Sequence, residues 1–155
     1  MNDSEAEKEF QAGQELFALK SPHKALAHFN RAVELDNSNP LYLSYLGLSI
    51  AAAEKKWDHA EEMCLSAVRL DRTQPQLYLN LAEFYSLAGK KADAVETLLA
   101  GMSEAGRDAR LIKFLRKLGV RRPPVVPFLD RDHFVNRQLG KLRYRLLRSM
   151  GRAEL

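Results

Sequence analysis

One cysteine, Cys64, stands in a chain of 155 residues, so no intrachain disulfide can form and the small disulfide-stapled secreted scaffolds are excluded. No run of 18 apolar residues occurs, and no segment reads as a membrane-spanning helix. The opening stretch MNDSEAEKEF is acidic and polar, without the basic start and apolar run of a secretory signal or the arginines of a transit peptide. A free thiol and these exclusions predict a reducing, cytoplasmic setting. A glycine-rich phosphate loop is missing too. The histidines (His23, His28, His59 and His133) fall in separate segments with no pair at metal-ligand spacing, so neither metal nor cofactor is expected. Cys64 sits at an apolar position and reads as a buried small hydrophobe. Glu61 and Glu62 read as solvated helix residues rather than an acid/base pair. With no catalytic constellation left, the sequence does not point to an enzyme.

What the chain has is helical periodicity, repeated. In PQLYLNLAEFYSLAGKKADAVETLLAG (75–101), Leu77, Leu81, Phe84 and Tyr85 recur at the offsets of one buried helical face. Ala88-Gly89-Lys90 forms the turn, with Gly89 free to take the left-handed conformation that ends a helix. Ala94, Leu98 and Gly101 then line one side of a second helix. Shifted back by about 34 residues, the same order of sizes returns. Gly13, Gly47 and Ala82 are equivalent, as are Leu16, Ile50 and Tyr85 three residues on. In the second helices Ala25, Ala60 and Ala94 correspond, then Phe29, Cys64 and Leu98, then Ala32, Ala67 and Gly101. Pro22, Pro40 and Pro75 suit the first helical turn. Ser21, Asp58, Asp108 and Asp132 read as helix N-caps. The first helix is expected from Ala6 and the fourth from Asp58, with residues 1–5 frayed and Trp57 in the turn.

These spacings and sizes resemble the tetratricopeptide-repeat family in three copies, 6–39, 40–74 and 75–108, closed by a capping helix at 109–119. Glu9 departs from the family's aromatic, and Asn37 and Arg72 from its proline after the second helix. The resemblance implies an all-α fold, a right-handed superhelical array of antiparallel helix pairs (an α-solenoid) with a C-terminal extension. It also implies a concave groove that receives a peptide or helix of another protein. Carried over position by position, the groove residues are Phe10, Gln14 and Phe17, then Ser44, Tyr45, Leu48 and Ala51, then Leu79, Asn80, Glu83 and Ser86. Phe17 and Leu48 read equally well as inter-helix core. None of the eleven is lysine or arginine, so a clamp for a terminal carboxylate is not expected. In the capping helix, Leu111, Leu115 and Leu118 form a stripe, while Arg110, Lys113, Arg116 and Lys117 keep the opposite side wet.

Charge divides the chain. Residues 1–120 hold 15 Lys and Arg against 17 Asp and Glu, whereas 121–155 hold 9 against 3. That extension reads as a Pro/Arg-rich stretch followed by a basic amphipathic helix, carrying Arg121, Arg122, Arg131, Arg137, Lys141, Arg143, Arg145 and Arg148. One reading has these cations tether the chain to nucleic acid or an anionic membrane. The other has them solvate a helix whose leucines dock on the repeats, in the same chain or in a homodimer. The preferred function is a non-enzymatic adaptor that binds a partner protein in the groove. A small three-repeat secretion-type chaperone is the remaining alternative.

Overall fold

The structure, a computed structural model, describes residues 2–119. The expected Pro/Arg-rich stretch and basic helix, with Arg121, Arg122, Arg131, Arg137, Lys141, Arg143, Arg145 and Arg148 and the cap assigned to Asp132, lie outside the described residues. Among the described residues there are seven helices and no strand: α1 (Asn2–Ala18), α2 (Pro22–Leu35), α3 (Pro40–Glu54), α4 (Trp57–Leu70), α5 (Pro75–Leu87), α6 (Lys91–Glu104) and α7 (Ala109–Lys117). They form an all-α solenoid. Helices α1/α2, α3/α4 and α5/α6 pair, α3 and α4 lie on α5, and α7 packs on both α5 and α6.

Small residues set how closely the pairs approach. Ala25, Ala60 and Ala94 are fully buried, as are Phe29, Cys64 and Leu98 four residues on. A methyl group built on Gly47 would meet the Cys64 sulfur at 2.8 Å and the Ala60 carbonyl oxygen at 2.9 Å. Any side chain there would force α3 and α4 apart. The aromatic rings fill what the small residues leave open. Phe10 packs on Tyr42 at 4.7 Å and Phe29 on Tyr45 at 5.4 Å between ring centres. Burying each such side chain stabilises the fold by roughly 1.5–3 kcal/mol.

Helix ends follow the expected chemistry at some positions and not at others. Pro22, Pro40 and Pro75 each open a helix. Asp108 caps α7 by accepting from the Arg110 backbone N–H at 2.7 Å. Ser21 makes no such bond, so Pro22 fixes that entry by its φ angle instead. Asp58 is not a cap either. The fourth helix begins one residue earlier, at Trp57, placing Asp58 in the first turn, where its charge favours the helix dipole. The Trp57 ring lies 6.3 Å from that of Phe84, joining the second pair to the third. Helix α1 begins at Asn2 rather than Ala6. Its extra turn is tied to α2 where Arg31 donates to Glu5 at 3.5 Å, and two residues on Glu7 accepts from the Tyr42 hydroxyl at 3.0 Å. Glu9, where the resembled family has an aromatic, instead pairs with His28 at 2.7 Å.

Candidate functional site

Helix α5 presents Leu79, Glu83, Ser86 and Leu87 along one edge. Opposite it, α7 presents Arg110, Lys113, Phe114, Lys117 and Leu118, at the offsets of a single helical face. Together these residues enclose a cleft of about 600 Å³, within the range that binds a side chain or a small ligand. The local sequence explains the orientation. Leu111 is fully buried, and with it docked, the residues before and after it on the helix turn toward α5.

The start of α7 is locked by a chain of hydrogen bonds. Arg110 donates through Nη2 to Asp108 at 2.9 Å and through Nη1 to the Gln76 oxygen at 2.8 Å. Gln76 donates to Asn80 at 2.8 Å, and Asn80 donates to the Ser44 hydroxyl at 3.0 Å. Asn80 and Ser44 are buried, so at that end of the line the two groups satisfy each other where no water reaches, while the Arg110 end is exposed. The bond from the Arg110 side chain, with that from its backbone N–H, holds the Asp108 carboxyl below the usual carboxylate range.

Of the eleven groove residues expected from the sequence, Leu79, Glu83 and Ser86 come together in this cleft. Phe10, Ser44, Leu48, Ala51 and Asn80 do not offer contact surface. Each is buried, and Leu48 and Ala51 are only 1% exposed. They face neighbouring helices, because successive first helices lie close enough to seal what an open wall would expose. Gln14, Phe17 and Tyr45 are half-buried. The Phe17 ring rests 6.4 Å from Phe29, and that of Tyr45 stands edge-on to Phe10 at 5.2 Å, so both share in the core. The basic residues of α7 are exposed as expected, but Arg110, Lys113 and Lys117 also border the cleft, a contribution the sequence does not give. The one hint there is that Phe114 falls between Lys113 and Lys117 on the same face as Leu118, so that face is not purely polar.

Glu61 also departs from expectation. It is half-buried and accepts from the Tyr85 hydroxyl at 2.8 Å and from Lys90 at 3.0 Å, linking α4 to the α5–α6 turn. The lysine bond and then the phenol bond lower its pKa, while burial first and the Glu61 bond second push that of Tyr85 up. Cys64 is buried and donates to the Ser44 carbonyl at 3.6 Å. Burial, aided by the charge of Glu61, pushes its thiol up to about 12, so at neutral pH it is a core group and not a nucleophile. Among the described residues, no cluster of His, Cys, Asp and Glu is arranged to hold a metal ion, and no helix is long and apolar enough to cross a membrane.

No protein-family model matches the chain. A TPR repeat-containing thioredoxin of Arabidopsis thaliana, TTL4, is 30% identical over 118 residues, 76% of this chain and 17% of that protein. The STIP1 homologue of Dictyostelium discoideum is 28% identical over 108 residues, 65% of this chain and 19% of its own length. The chain thus spans less than a fifth of either relative. Among solved structures, the Sgt2 TPR domain of Aspergillus fumigatus superposes with a TM-score of 0.61 at 20% identity, covering 86% of this chain and 93% of that one. The first TPR of Spaghetti (RPAP3), bound to the HSP90 peptide SRMEEVD, gives 0.62 at 18% identity, with 77% and 96% covered.

Proposed function

From a chain that belongs to the tetratricopeptide-repeat family, we propose a non-enzymatic adaptor that receives a segment of a partner protein along the inner edge of α5. The observation that carries this reading is the α5–α7 cleft. Its Leu79, Glu83 and Ser86 stand half-exposed at positions carried over from the family resemblance, while Ser44, Leu48 and Ala51 of α3 are closed by packing. Support also comes from a structural neighbour that holds a peptide, the Spaghetti TPR with SRMEEVD. The tether alternative draws on no observation of this kind, and the chaperone alternative has fold likeness alone, to the type III secretion chaperone SycD of Yersinia enterocolitica.

Site-directed photocross-linking tests the reading. A photoreactive residue at Ser86 should yield covalent adducts with partner polypeptides in a cell extract, and Leu79→Glu should reduce them at least tenfold. The same probe at Leu99, which is 53% exposed on α6, should yield none. Equal adducts at the two positions would remove α5 as the binding edge.

A further inference from the structure

We propose that a second groove, formed by α4, α5 and α6, takes an arginine side chain from a partner polypeptide. It uses a different face of α5 from the α7 cleft. Leu65 and Val68 of α4, Leu81 of α5 and Ala100 of α6 give it an apolar floor, which Tyr78 and Tyr85 complete. Asp93, Glu96 and Thr97 stand along its α6 side. The groove holds about 350 Å³, near the lower end for a small-ligand site, so it suits one long side chain and not a whole helix.

The polar groups bordering the groove are short of donors. Asp93 and Glu96 are exposed and bind no cation among the described residues. Thr97 is only 8% exposed, and its hydroxyl has no hydrogen-bond partner among them either. A hydroxyl on a helix can satisfy itself on the carbonyl four residues back, as Ser86 does on Ala82 at 2.8 Å. Thr97 does not, so a nearly buried hydroxyl on the groove keeps its acceptor lone pairs unused. The Tyr85 hydroxyl already donates to Glu61 at 2.8 Å, and that of Tyr78 to the Arg72 carbonyl at 3.1 Å.

Charge points the same way. Lys90 is held by Glu61 at 3.0 Å and is not free to neutralise Asp93. Burial, and after it the charge of Glu104, raises the Tyr78 phenol, and at that ring only Arg72 acts in the opposite sense. The groove therefore favours a cation rich in donors. Asp93 and Glu96 are three residues apart, about 4.5 Å along the axis at 1.5 Å per residue. A planar guanidinium, with five N–H donors and no acceptor, can span such a pair and still reach Thr97. Its aliphatic stem matches the leucine and valine floor. An ammonium is a compact, strongly hydrated point charge and bridges two carboxylates less well. Phosphates and acidic peptides meet the wrong sign.

The test is a nuclear magnetic resonance titration of the full-length chain with blocked pentapeptides carrying arginine, lysine or citrulline between two pairs of alanines. The arginine peptide should shift the Thr97 methyl and the Ala100 amide. It should bind at least fivefold more tightly than the lysine peptide and at least tenfold more tightly than the citrulline one, which keeps the shape without the charge. D93N/E96Q should weaken it at least tenfold and Thr97→Val about threefold. Glu15→Gln, at an exposed carboxylate on α1, should leave it unchanged. Both α6 carboxylates are exposed, so the double variant should keep its helicity, checked by circular dichroism. Arginine-peptide shifts that miss Thr97 and Ala100, equal binding of the lysine or citrulline peptide, or indifference to D93N/E96Q overturns the proposal. Free arginine, whose own carboxylate meets Asp93 and Glu96, should bind more weakly than the blocked peptide; tighter binding gives the groove to a small molecule and overturns it as well. Self-association that D93N/E96Q abolishes, with no peptide bound, puts a second copy there and likewise overturns it. Leu99 does not border this groove, and the Ser86 cross-linking result stands whatever the groove binds.

Discussion

Lys55 ends α3 with φ at 55°, and Lys20 follows α1 with φ at 59°, the left-handed conformation that Gly89 adopts at 75° in the third pair. The same hinge recurs in all three pairs, yet only the third carries the residue that suits it. A side chain in this region costs about 1 kcal/mol or more. Lys55→Gly should therefore stabilise the chain by roughly 0.5–1 kcal/mol after allowance for the greater freedom of glycine when unfolded, read as a higher midpoint in urea. Gly47 behaves in the opposite way. The Ala60 carbonyl oxygen, at 2.9 Å from an added methyl, is backbone and cannot swing aside. Overpacking costs about 1–3 kcal/mol, more than the helix propensity of alanine returns, which is up to about 1 kcal/mol. Gly47→Ala should lower Tm, and an unchanged Tm would mean the two helices slide apart freely.

Among the elements, α7 makes the least of its own stability. It is a nine-residue helix with one fully buried side chain, and helices of that length do not persist alone. Its attachment depends on Asp108, which caps it and holds Arg110. Asp108→Ala should cost about 1 kcal/mol and speed amide hydrogen exchange at Ile112 to Leu115 while leaving α3 protected. Acid should do the same. The folded pKa of Asp108 is lowered, so its contribution is complete above the ordinary carboxylate value and is lost as pH falls through the lower folded value. Exchange in α7 that did not respond to acid before global unfolding would contradict this. The existence of α7 and its cap could be read from DARLIKFLRK. Which face it turns to α5 could not, because an amphipathic pattern fixes a buried stripe and says nothing of what borders the exposed one.

Across the whole array, neighbouring pairs are joined by specific links as well as by helix packing. Trp57 rests on Phe84, and Glu61 binds both Tyr85 and Lys90. Such arrays gain stability from nearest-neighbour interfaces, and these links tie the second pair to the third. Trp57 is the chain's single tryptophan, so its fluorescence reports on this interface directly. Fluorescence and far-ultraviolet ellipticity should change with one shared midpoint in urea, and Tyr85→Phe should lower both together. Midpoints that separate would mean that the pairs melt independently. The sequence by itself determined the helix pairs, their period and the small residues at their crossings, because those depend on spacing and size within one stretch of chain. Only the tertiary structure decided that Leu48, Ala51 and Asn80 are sealed while Leu79, Glu83 and Ser86 line one cleft with the lysines of α7. Exposure is a property of which helices stand next to one another, and residues some 34 positions apart carry no local record of that distance.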